Sequence, residues 1–152
     1  MAYLRPMARD DGGLVKSVTG ADVMSTGLSP VTVNNAAAQT LTAAMLTAGV
    51  ILRVGAGAVT DTTDTAVNLM QAMYGNTGSG REVGDTFRTM FSNQGASTVT
   101  IAGGTGVTAS GNTSCLTLQV KTILFVCTSK GVQTYANGVF TNTGATFNAI
   151  CL

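Results

Sequence analysis

The amino-acid sequence predicts a mainly β fold: an antiparallel β-sandwich of jelly-roll-like type, with one short helix and an extended N-terminal arm. Three observations predict it. Apolar and polar residues alternate in short runs bounded by glycine and asparagine, the pattern of half-buried strands. Threonine is abundant and 19 of the 152 residues are glycine, which disfavours a helix-rich fold. Charged residues make up only 10% of the chain, well short of the usual quarter, so the surface is polar but weakly charged. A chain of this length suits one domain, divided into an arm over residues 1–30 and a β domain over 31–152.

The arm gathers much of the charge, in Arg5, Arg9, Asp10, Asp11 and Lys16, around Gly12 and Gly13 and without an apolar period. These five residues are candidates for gripping a partner, since a terminus stays disordered unless something ties it down. After Pro30, "VTVNN" alternates as a strand, and "TLTA" (Thr40–Ala43) and "GVILRVG" (Gly49–Gly55) follow as further strands. Between Thr60 and Gly75 the period changes. Ala66, Leu69, Met70 and Met73 fall at helical spacing behind Asp61, Thr62 or Thr63 as N-cap, with Asp64 in the first turn and Gly75 as the stop.

Strands then resume. Phe87, Thr89 and Phe91 alternate with polar or flexible neighbours, as do Val99 and Ile101, and then Leu116, Leu118 and Val120. "TILFVC" (Thr122–Cys127) is continuously apolar, as in a strand buried on both faces of a sandwich or at a subunit interface. Asn137-Gly138 marks a tight hairpin. About eight short strands between turn signals make the sandwich.

The residues that could carry chemistry are sparse. There is no histidine, which removes the commonest general base. Cys115, Cys127 and Cys151 are odd in number and widely spaced, so they read as buried free thiols of a protein folded in a reducing cytoplasm rather than as a zinc site or a disulfide scaffold. Asp61 and Asp64 could offer oxygens to calcium, but helix capping accounts for them more simply. Arg81, Glu82 and Asp85 read as a solvated turn or an intersubunit salt bridge. "GGTGVTA" (Gly103–Ala109) matches G-x-G-x-x-A after a strand, yet no helix signal follows, so it reads as a glycine hairpin and not a dinucleotide cradle. No catalytic residue, cofactor or metal ligand is assigned. A net charge of +1 lacks the basic stripe of a nucleic-acid binder, and "LTAAMLTAGVILRV" is too short for a membrane span.

The order "VGDTF … FSNQGASTVTIAGGTGVTASGN", followed by "TILFVCTSKGVQTYANG", resembles a β-segment of virion surface proteins from tailed bacteriophages and some large DNA viruses. The likeness spans about Val31 to Gly138. It implies a head decoration (cement) protein: a non-enzymatic homotrimer on the capsid surface that binds the major capsid protein, with no nucleic-acid or membrane partner. The alternative is a tail fibre or appendage, or a host-receptor module that binds carbohydrate. Against that alternative, tryptophan is absent and three tyrosines are the only amphipathic rings.

Overall fold

The computed structural model describes residues 7–9, 15–17, 29–55, 57–77 and 82–152. Among them the chain is mainly β. Two short strands, β1 (Met7–Arg9) and β2 (Val15–Ser17), pair antiparallel with each other. The β domain then runs β3 (Ser29–Asn34), β4 (Thr40–Leu41), helix α1 (Ala43–Thr47), β5 (Gly49–Val54), β6 (Val59–Thr63), helix α2 (Ala66–Thr77), β7 (Thr86–Asn93) and β8 (Val99–Ala102). It closes with β9 (Val107–Gly111), β10 (Ser114–Cys115), β11 (Val120–Ser129), β12 (Val132–Ala136), β13 (Val139–Thr143) and β14 (Thr146–Cys151). Because β3 already begins at Ser29 and pairs with β5, Pro30 belongs to the sheet and not to the arm.

Consecutive strands alternate between two sheets. One has six strands in the order β3-β5-β7-β11-β14-β9, the other four in the order β10-β8-β6-β4. From β3 to β11 each strand's successor lies in the other sheet, and the same-sheet neighbours β3–β5, β5–β7, β4–β6 and β6–β8, two strands apart, run the same way and are parallel. The pair β9–β14, five strands apart, is parallel as well. This corrects the expected antiparallel pairing. Apolar alternation reports which face is buried and is the same for either direction of the neighbour, so the sequence pattern carries no sign of it. Antiparallel pairing remains at β7–β11, β11–β14, β8–β10 and the β12–β13 hairpin.

The buried faces of both sheets and both helices share one core, from Leu41 and Val99 on the smaller sheet to Ile51, Phe91 and Ile123 on the larger. Phe87 stacks on Phe125 with centroids 4.5 Å apart and meets Phe147 edge-on. In α2 the expected stripe Ala66, Leu69, Met70 and Met73 is buried. Its cap is Thr65, whose Oγ1 accepts from Asn68 N at 3.2 Å, and it runs past Gly75 to Thr77. Helix α1 replaces the end of the expected "TLTA" strand. Thr42, extended at φ −61° and ψ 156°, caps it by accepting from Met45 N, and Thr89 Oγ1 donates to Leu46 O at 2.6 Å to seat it on the larger sheet.

The Asn137-Gly138 turn forms as expected. Both residues have positive φ, 53° and 77°, and Ala136 lies opposite Val139. The segment Leu116–Val120 departs from expectation. Gln119 N donates to Leu116 O, which closes a turn between β10 and β11, and Leu116, Leu118 and Val120 are 56%, 74% and 53% exposed.

Candidate functional site

The residues with catalytic or metal-binding potential are taken up by the fold. Arg53 and Asp61 are both fully buried. Arg53 Nε donates to Asp61 Oδ2 at 2.7 Å and its Nη2 to Asp61 Oδ1 at 3.2 Å. The same guanidinium donates to Asn35 O and to Ala37 O, and Asp61 Oδ1 also accepts from Gln39 N. The pair thus pins the 35–39 loop to both sheets. Asp64 links the two helix starts, accepting from Ala43 N at 2.8 Å, Thr65 N at 2.8 Å and Asn68 Nδ2 at 2.7 Å. With their oxygens committed to N–H donors, these carboxylates are poor calcium ligands.

The glycine stretch is closed by its own backbone. A Cβ on Gly103 would stand 2.0 Å from Val107 O, and one on Gly104 would stand 2.3 Å from Thr63 O. It is a crossover between sheets, because β8 and β9 lie in different sheets and do not pair. This corrects the expected hairpin and leaves no cradle open to a phosphate.

All three thiols are buried and unbridged. Burial is the main cause that raises each pKa above its usual value. Lys121, itself buried, pulls Cys115 and Cys151 the other way without overcoming it. Asp85 and Glu82 push Cys127 further up. A nucleophilic thiolate is therefore scarce near neutral pH. Glu82 pairs within the chain with Lys130 Nζ at 2.8 Å, at an exposed position. Of the arm candidates, Arg9 and Lys16 lie on the paired strands β1 and β2, whereas Arg5, Asp10, Asp11 and also Arg81 lie outside the described residues.

One recess of about 250 Å³ opens beside β6 and β8, lined by Ala58, Val59, Thr60, Thr98 and Thr100. It is smaller than usual ligand pockets, and none of its described lining residues carries a titratable group.

Part of what the fold leaves exposed is apolar. The β10–β11 turn presents Leu116 and Leu118 to solvent, and Leu118 is held at φ 58°. A leucine in that left-handed conformation costs about 1–2 kcal/mol where glycine or asparagine would cost little. The left-handed φ belongs to the Leu116–Gln119 turn, whereas an exposed leucine side chain there gives the isolated fold nothing that glycine or asparagine would not. The β12–β13 hairpin adds Val132, Tyr135 and Val139, each more than half exposed. Sequence alternation concealed the turn, because "LTLQV" reads as a strand.

The chain matches no protein-family model, no curated protein and no solved structure. Among the described residues, no helix is long and apolar enough to cross a membrane.

Proposed function

We propose that this protein is a non-enzymatic structural component of a virion, a head decoration protein that self-associates as a trimer and binds the major capsid protein. The observation that carries the assembly reading is the β10–β11 turn, where Leu118 is both strained and 74% exposed. Partners that bury this turn recover the apolar burial that the lone chain forgoes. The step from an assembling protein to a virion rests on the resemblance of residues 31–138 to phage surface proteins. In this reading the two sheets that share a core are the layers of a sandwich, and the arm before Ser29 lies across a neighbouring subunit by main-chain pairing.

The test is reconstitution. Purified protein added to undecorated heads is expected to appear at fixed surface positions by particle imaging, and a chain lacking residues 1–28 is expected to occupy fewer of them while keeping its circular-dichroism spectrum. Absence of the full-length protein from the shell would sink the proposal.

A further inference from the structure

The β12–β13 ribbon pairs with neither of the two sheets that share the core. Its base is anchored, since Phe140 packs against the core and the buried Asn142 donates from Nδ2 to Lys130 O at 2.6 Å. Its tip is open. Every residue from Tyr135 to Val139 is exposed, and a Cβ placed on Gly138 would meet no atom within 4 Å. The turn there is Asn137-Gly138, the one asparagine-glycine step in the chain.

That dipeptide suits the turn because both residues hold positive φ, but it also sets an amide beside an unhindered main-chain nitrogen. Among the described residues, neither the Asn137 side chain nor the Gly138 N–H has a hydrogen-bond partner. The amide is thus free to rotate onto the next residue, and Gly138 has no side chain to obstruct the approach. Asn68, Asn93 and Asn142 differ on both counts. Their amides donate to the Asp64 carboxylate, to the Ser97 and Cys115 carbonyls and to the Lys130 carbonyl, and Leu69, Gln94 and Thr143, which follow them, all carry side chains.

We propose that Asn137 is a site of spontaneous covalent modification, which converts the tip of the ribbon from a neutral amide to an isoaspartate or aspartate carboxylate. The Gly138 nitrogen gives its proton to hydroxide and attacks Asn137 Cγ. The new N–Cγ bond closes a cyclic imide as the Cγ–Nδ2 bond breaks, and Nδ2 leaves as ammonia with a proton taken from water, which restores the hydroxide. Water then opens the ring. Cleavage at the main-chain carbonyl leaves the backbone running through Cβ and Cγ, as isoaspartate, whereas cleavage at Cγ restores the original path, as aspartate. In sum one water is consumed and one ammonia released.

The products act on the ribbon in two ways. Isoaspartate adds a methylene to the main chain, so the turn no longer sets Ala136 opposite Val139. Two strands with no sheet to join have little else to hold their tip. Either product also places a negative charge among the exposed Val132, Tyr135 and Val139, so an apolar contact made through this ribbon weakens as the chain ages.

The experiment is incubation of the full-length protein at neutral and mildly alkaline pH, followed by intact-mass and peptide-mapping mass spectrometry. The expected result is a mass gain equal to exchange of NH2 for OH, mapped to Asn137 and severalfold faster at the higher pH, because the attacking nitrogen must lose its proton. Gly138→Ala is expected to slow the gain severalfold and Asn137→Gln to remove it, and if one variant fails to fold the other is read in its place. Hydrogen exchange in the converted fraction is expected to show lost protection over residues 132–143 and unchanged protection in β7 and β11. A folded chain whose mass holds constant overturns the proposal, and conversion of the urea-unfolded chain alone would show that the turn protects its asparagine. A gain that maps to another asparagine or persists in Asn137→Gln overturns the site, and a converted ribbon as protected as the parent's overturns the effect on the ribbon.

Discussion

Arg53 shows how much of a residue's role can be read from its neighbours in sequence and how much cannot. In "GVILRVG" it shares strand parity with Ile51, so alternation alone directs it to the core, where both are buried. Its partner Asp61 sits on the other sheet, and the sequence reading took Asp61 for a helix cap. The position of an ion-pair partner depends on how sheets stack, which a local pattern does not encode. Since the pair is fully buried and also holds the Asn35 and Ala37 carbonyls, Asp61→Asn leaves an uncompensated guanidinium in the core. The expected loss is about 3–5 kcal/mol of unfolding free energy, measured by urea denaturation. A loss under about 1 kcal/mol would show that water reaches the site and that the pair does not organise the loop. Leu118 was hidden for a related reason: its exposure follows from a turn whose closing hydrogen bond involves residues that, taken alone, alternate like a strand.

At the scale of elements, legibility follows the length of the period. Helix α2 offers four apolar residues at helical spacing and was found; α1, five residues long, offers one turn, and the β-branched run behind it dominated the reading. Its signals were present nonetheless, in Thr42 as N-cap, the helix formers Ala43–Leu46, and Gly49 at φ 91° after the end. The glycines of the β8–β9 crossover were seen as a turn, but the reason for glycine lies in another element. Gly104 passes so close to β6 that an added Cβ would meet the Thr63 and Asp64 carbonyl oxygens at 2.3 and 2.7 Å, and backbone cannot swing aside. Gly104→Ala is expected to lower stability by about 1–3 kcal/mol through overpacking. Gly57→Ala, whose Cβ would stand 3.4 Å from its nearest neighbour, is expected to change it by less than about 0.5 kcal/mol. Thermal denaturation of the two variants side by side makes the comparison, and equal effects would remove close backbone approach as the explanation.

For the molecule as a whole, the shared core couples the three thiols to global stability. Cys115 lies on the smaller sheet, Cys127 and Cys151 on the larger, and all three belong to the same buried cluster. Their folded pKa values all lie above the usual 9.0, with desolvation the first cause in each. The folded chain therefore keeps its protons at a pH where the unfolded chain has begun to release them. For groups shifted upward, the stability contribution is complete below the unfolded value and is lost as pH rises through the folded one. Unfolding free energy is thus expected to be insensitive to these groups at pH 7–8 and to fall as pH climbs past 9.0. Cys127 is the position to test, because Asp85 and Glu82 add to its burial while no lysine opposes them, unlike at Cys115 and Cys151. Cys127→Ser removes the titrating group, so urea titrations at pH 7 and pH 10 should show a smaller alkaline loss in the variant than in the parent. An equal loss in both would place the alkaline sensitivity elsewhere in the molecule and separate Cys127 from it.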